Sequence, residues 1–329
     1  MKKVGFTTTI PVEIIFASNH LPVDLNNIFI TDDNPHTFID FAEQEGLPRN
    51  TCNWIKGIYT SVMQNSVDKV ISVTGGDCSN NHALTEIFRS EGVDVTTFSY
   101  PYEDGRRYIF LKDEMNRLAT ELGTDLDAVQ KFQENLQTVR SKLRKLDELT
   151  VDNKVSGFEN HLWLVSSTDF NGDCVSFEDN LDAFLDEAER RERIKSNLRI
   201  GFIGVPPIFT DLYEFLEYKG VHVAFNEVQR QFSIISEKSD IVEKYLDYTY
   251  PYDISGRIED INREIKERNL DGIIHYVQSF CYRQLQDLII KREVEVPVIT
   301  IEGNEPGGVD ARTKIRLESF IEMLEERKK

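Results

Sequence analysis

Apolar runs of four to eight residues alternate along the chain with stretches of helical periodicity. In the first hundred residues, strands are predicted at 4–9, 23–30, 69–74 and 93–98. Helices are predicted between them at 11–18, 49–64 and 81–90, with Pro11 at a helix start and Asn50 or Thr51 as an N-cap. The last 130 or so residues repeat the alternation. Strands are expected at 198–203, 221–225, 272–277 and 296–301, and helices at 210–218, 258–268, 284–292 and 312–326. Strands that alternate with helices predict parallel sheets covered on both faces. Residues 104–193 read differently. Phe132, Leu136, Val139, Leu143 and Leu146 recur at spacings of three and four, the mark of a helical bridge. The expected organisation is an N-terminal α/β lobe at 1–103, a helical insert at 104–195 and a C-terminal α/β lobe at 196–329.

The two α/β halves echo each other. Glu91-Gly92-Val93-Asp94-Val95 resembles Lys219-Gly220-Val221-His222-Val223, and Tyr100-Pro101-Tyr102-Glu103-Asp104-Gly105-Arg106 resembles Tyr250-Pro251-Tyr252-Asp253-Ile254-Ser255-Gly256-Arg257. These echoes start 9 residues apart in the first half and 31 in the second, so the second copy carries 22 extra residues, near 229–247. A third echo carries chemistry. Asp68 precedes Cys78 by ten residues, and Asp271 precedes Cys281 by ten. Each cysteine follows a strand and precedes a helix, which places it at the carboxyl end of a sheet, where ligands bind in open α/β folds. Two halves that each deliver a thiol from a strand end have the geometry of a shared metal or cluster site.

Composition narrows the partners. The chain has 329 residues and a formal net charge of −19, which disfavours nucleic acid, whose phosphates need a basic surface. No apolar run approaches the roughly 20 residues of a membrane span, and no apolar targeting segment follows the N-terminus. A cytoplasmic protein that binds neither membrane nor nucleic acid is expected. Four cysteines do not make a disulfide scaffold. Cys52, Cys78 and Cys281 all sit near expected helix N-termini, where the dipole favours a thiolate. Cys174 lies in a polar turn of the insert with no counterpart in the repeat and reads as a bystander. Three thiolates suit zinc with an open position, or a [4Fe–4S] cluster with one iron unligated by protein. There is no C-x-x-C pair, so a zinc ribbon is disfavoured, and no G-x-G-x-x-G or Walker A pattern, so neither dinucleotide binding nor a P-loop is expected.

Among the other candidates, Glu13 follows the first strand and is a possible polar site residue, as are Ser79, Asn80 and Asn81 after Cys78. His275 lies inside a strand and reads as a satisfied core histidine, while nothing in the sequence positions His20 or His82 as proton donors. Arg283, Arg312 and Arg316 are candidates for phosphate contacts, with helix-surface ion pairs as the plainer reading.

These residues resemble the 2-hydroxyacyl-CoA dehydratase / benzoyl-CoA reductase subunit family (the dehydratase D-component). The likeness runs through Pro11-Val12-Glu13-Ile14-Ile15, Gly76-Asp77-Cys78-Ser79-Asn80, Asp271-Gly272-Ile273-Ile274 to Phe280-Cys281, and Glu305-Pro306-Gly307 followed by the helix from Arg312. It implies two flavodoxin-like, Rossmann-like lobes joined by a helical insert, with a [4Fe–4S] cluster held between them by Cys52, Cys78 and Cys281. It implies a lyase working by radical dehydration of an acyl-CoA, with the free iron acting as a Lewis acid on the substrate, and tentative catalytic roles for Glu13 and Ser79. It further implies an anaerobic setting and an oligomer with a paralogous subunit or with itself. An ATP-hydrolysing iron–sulfur activator protein would supply the low-potential electron. An electron-relay subunit, or an ATP-driven reductase of a non-CoA small molecule, is the alternative. Four cysteines are too few for a double cubane, so a single cubane is expected.

Overall fold

The computed structural model describes residues 1–64, 67–102 and 107–329. The echo continuing over Glu103–Arg106, and the boundary expected at 103/104, lie outside the described residues. The chain divides into two compact units. Unit 1 comprises Met1–Ser141, Ser166–Asn180 and Phe232–Asp253; unit 2 comprises Lys142–Val165, Leu181–Gln231 and Ile254–Lys329.

Unit 1 holds strands β1 (Lys3–Phe6), β2 (Leu21–Asp24), β3 (Lys69–Gly75) and β4 (Val95–Ser99) in one all-parallel sheet of order β2-β1-β3-β4. Its two faces are both apolar. Val4, Phe6, Ile71 and Val73 pack with Ile14, Leu111 and Met115 on one side. Val70 packs with Ile55, Ile58, Leu84 and Phe88 on the other. A strand buried on both faces does not alternate strictly between polar and apolar residues, which is why β3 carries Val70, Ile71 and Val73 on its two faces.

Unit 2 holds β5 (Leu198–Gly204), β6 (Val221–Asn226), β7 (Gly272–Val277) and β8 (Val298–Glu302), all parallel, in the equivalent order β6-β5-β7-β8. Ile203, Ile273 and Phe225 pack there with Ile261, Ile265 and Ile290. The family of folds expected from the alternation is therefore present: mixed α/β, two four-stranded parallel sheets, consistent with two flavodoxin-like lobes.

The two units match in detail. In unit 1 the Asp68 carboxylate accepts the Lys3 backbone N–H at 2.7 Å. In unit 2 the Asp271 carboxylate accepts the Arg199 N–H at 2.8 Å. Ser72 pairs in register with Thr97, and His275 pairs with Thr300. The guanidinium of Arg117 donates to the Thr97 carbonyl, and that of Arg316 to the Thr300 carbonyl. A constant offset of 203 residues links Asp68 to Asp271, Ser72 to His275, Cys78 to Cys281 and Thr97 to Thr300.

One expectation is corrected. The strand expected at 23–30 is β2 followed by a helix, Leu25–Ile30. Asp24 has extended backbone and its side chain accepts the Asn26 N–H, so it caps a helix in the middle of the apolar run. The extra residues near 229–247 form helices Glu227–Phe232 and Ile241–Leu246. From Phe232 onward they belong by contacts to unit 1, adding Ile241, Tyr245, Tyr248 and Tyr252 to its core. The stretch expected to be helical carries helices Arg107–Leu122, Leu126–Val151, Gly157–Ser166 and Cys174–Ala188. Among the described residues, no helix is long and apolar enough to cross a membrane.

Candidate functional site

In unit 1 the candidate residues gather where β3 ends. Gly76 has φ +93°, a backbone that favours glycine, and a Cβ there would come within 2.5 Å of Pro251. The glycine therefore lets the 248–252 segment lie against the loop. Asp77 Oδ1 accepts the Cys78 N–H at 2.7 Å. Asn81, fully buried in the next helix, Ser79–Ser90, locks the turn from the other side. Its Nδ2 donates to the Val73 carbonyl (2.5 Å) and to Thr7 Oγ1 (2.8 Å). His82 Nε2 meets the Thr74 carbonyl. Ser79 is exposed at the start of the helix.

Cys78 is the N-cap of that helix, and Cys52 is the N-cap of Asn53–Met63. Both pack on the same apolar cluster. They are close enough to repel as thiolates. Burial pushes the Cys78 thiol up to about 12, Asp77 and Cys52 push the same way, and the backbone amides of Asn81 and Asn80 oppose them. A buried thiol beside a carboxylate disfavours its own ionisation, and a bound cation would reverse that by replacing the proton. Cys52 and Cys78 thus bring two thiol donors to one apolar cluster. None of the four cysteines is in a disulfide.

Glu13 is elsewhere in unit 1. It is completely buried, with Oε1 2.5 Å from Arg140 Nη1 and Oε2 accepting the Tyr245 hydroxyl at 2.8 Å. Both carboxylate oxygens are engaged in bracing the turn after β1. Cys174 begins the helix Cys174–Ala188, and burial and Asp173 raise its thiol.

In unit 2 Cys281 is the N-cap of the short helix Tyr282–Leu285, after Phe280 at φ 62°. Its N–H donates to the Gln278 carbonyl at 3.2 Å. The preceding loop is tied by Ser279 N–H to Asn304 Oδ1 (2.8 Å) and by Ser279 Oγ to Glu302 Oε1 (2.5 Å). Arg283 is buried with its guanidinium over the Tyr282 ring, whereas Arg312 and Arg316 are exposed. A buried ion pair that the sequence did not announce lies at the end of β5. Glu227 takes both Arg257 Nε (2.6 Å) and Nη2 (2.8 Å), and also accepts the Gly204 N–H. Arg257 and Arg283 hold the Glu227 carboxyl below the usual range against the effect of burial. Among the described residues, no group of three or more His, Cys, Asp or Glu side chains lies close enough together to hold a metal ion.

Comparison with known families decides the assignment. The model of the 2-hydroxyglutaryl-CoA dehydratase D-component matches residues 7–324. The chain belongs to that family. As a D-component it is a subunit of the dehydratase type, and the match covers the segments that carry Cys52, Cys78 and Cys281. No curated protein matches the sequence. Among solved structures, a mutant of a laminin-binding adhesin from Streptococcus agalactiae aligns at 13% identity over 100% of both chains. Its TM-score of 0.20 carries no argument about the D-component's fold or function.

Proposed function

We propose that this D-component is the iron–sulfur subunit of a 2-hydroxyacyl-CoA dehydratase-type lyase, with Cys52, Cys78 and Cys281 as the thiolate ligands of one [4Fe–4S] cluster. The observation that carries the reading is the pairing of Cys52 and Cys78, two helix N-caps on one apolar cluster, in a chain of the dehydratase family. When bound, the cluster supplies a low-potential electron and a Lewis-acidic iron for radical dehydration of an acyl-CoA thioester.

The chain's own residues hold and shape that site. Asn81 fixes the β3 turn so that the Cys78 sulfur sits at the helix start, with the amides of Asn80 and Asn81 favouring its thiolate. The exposed Ser79 hydroxyl is the polar group nearest in sequence to Cys78 that is available to a substrate. Glu13 is the other candidate catalytic group, its buried carboxylate held by Arg140 and Tyr245. In this reading the subunit works in the cytoplasm of an anaerobe, paired with a paralogous subunit or a second copy. It receives its electron from an ATP-hydrolysing iron–sulfur activator.

Titrating the oxygen-free, cluster-loaded chain with a 2-hydroxyacyl-CoA while recording its EPR spectrum in the reduced state tests this. A spectrum that changes on binding supports a substrate-bearing subunit. A spectrum blind to the thioester would make the chain an electron relay instead.

A further inference from the structure

The sites matched by the 203-residue offset are filled differently in the two units. In unit 1 the position is Ser72, whose hydroxyl lies 2.6 Å from Thr85 Oγ1 and 3.3 Å from Asn81 Oδ1. A small neutral group meets small neutral partners, and the position needs nothing more. In unit 2 the position is His275, completely buried in β7. Its Nδ1 lies 2.9 Å from Asp287 Oδ1. That carboxylate also accepts the Thr300 hydroxyl, and its other oxygen pairs with Lys291 Nζ at 2.6 Å. These donors hold the Asp287 carboxyl well below the usual range against its partial burial. An ionised Asp287 requires the proton of the ring on Nδ1. The other nitrogen, Nε2, is buried and has no hydrogen-bond partner among the described residues.

A buried polar atom without a partner is costly, on the order of 1–3 kcal/mol. The ring edge that bears Nε2 runs along the end of β5. An ideal Cβ built on Gly204 would lie 3.2 Å from His275 Cδ2, and Gly204 has φ +93°. The turn Gly204-Val205-Pro206-Pro207 follows at the carboxyl edge of the sheet, where open α/β folds bind their ligands. A carboxylate-held imidazole with one nitrogen to spare is the arrangement proteins use to offer a fixed hydrogen-bond partner to a ligand. With the Nδ1 proton directed at Asp287, Nε2 is left to a group that can either donate to it or accept from it, such as a hydroxyl.

We propose that His275 is a ligand-binding residue of unit 2, whose Nε2 hydrogen-bonds the hydroxyl of a hydroxyacyl group at the carboxyl ends of β5 and β7. Asp287 and Thr300 are its positioning residues. The proposal rests on the dehydratase reading above and adds the residue that recognises the hydroxylated acyl chain.

The test compares a 2-hydroxyacyl-CoA with the saturated acyl-CoA that lacks the hydroxyl, on the full oxygen-free, cluster-loaded chain in its oxidised state. The unmodified chain is expected to prefer the hydroxylated ligand by about tenfold in Kd, the worth of one good hydrogen bond. The His275→Asn variant keeps a donor toward Asp287 but has no atom at Nε2. It is expected to lose the preference and bind the saturated ligand unchanged. If the variant fails to fold, the 15N resonance of His275 Nε2 in the unmodified chain decides. It should move with the hydroxylated ligand and stay still with the saturated one. A preference intact in His275→Asn, or a resonance that answers both ligands alike, as it would if only an ordered water sits there, overturns the proposal and leaves the dehydratase reading standing. If neither ligand binds the unmodified chain, both fall together.

Discussion

Asp169 in unit 1 offers a prediction that can be worked through. It follows the helix Gly157–Ser166 in the chain and is buried against β2 and its neighbours, with Oδ2 accepting the Asp24 N–H (2.8 Å) and Oδ1 the Asn171 N–H (2.9 Å). Burial, and then the Asp24 carboxylate beside it, raise its pKa from an ordinary 3.8 to about 7. Asp24 is itself raised, chiefly by burial. Because the folded-state value lies above the unfolded one, the folded chain binds the proton more tightly. The stability this contributes is complete below about pH 4 and is lost as pH rises through 7. A shift of about three units corresponds to about 4 kcal/mol, an upper bound because the two carboxyls share the effect. Asp169→Asn cannot ionise. Denaturant unfolding of both chains from pH 4.5 to 8.5 should show the unmodified chain losing about 3 kcal/mol relative to the variant, steadily between pH 4.5 and 7, with the difference levelling off above about pH 7. Any fixed cost of the amide shifts the whole curve and leaves its slope alone. Parallel curves across that range would refute the reasoning.

Other outcomes follow from the same geometry. Cys78→Ser should lose bound iron and sulfide, whereas Cys174→Ser should retain them by metal analysis, since Cys174 has no counterpart in the repeat. Gly76→Ala forces a side chain into a left-handed backbone and to within 2.5 Å of Pro251. It should cost about 1–3 kcal/mol in chemical denaturation and lower iron loading, because the turn it distorts carries Cys78. Arg257→Met leaves Glu227 buried without its cation and should destabilise the chain by about 3–5 kcal/mol, recovered in part when Glu227→Gln is added.

The sheets were legible because period and composition agree with tertiary context. The apolar run Lys69–Gly75 and its partner Gly272–Val277 are strands buried on both faces, and such strands read plainly in a single sequence. Residues 25–30 misled because β-branched and aromatic residues suit a strand, while one capping carboxylate, Asp24, decides for a helix. Cys78 and Cys281 were legible as thiols that follow a strand, and Cys52 as a thiol at a helix start. Glu13 was noticed for its place in the chain, but a partner 127 residues away, Arg140, determines what it does. The Asp24–Asp169 contact, 145 residues apart, and the Glu227–Arg257 pair leave no local signature, since nothing in spacing marks which charges will meet. His275 looked like a core histidine and is one on its Nδ1 side. The signal that sets it apart was present in the offset between the repeats, which puts it opposite a serine.

The central claim, a three-thiolate iron–sulfur centre in a dehydratase subunit, is tested most directly by iron and acid-labile sulfide analysis of chain purified without oxygen. EPR before and after reduction completes the measurement. The account predicts about four irons and four sulfides per chain and a signal that appears on one-electron reduction. Zinc in their place, or protein that holds no metal after anaerobic purification, would contradict it.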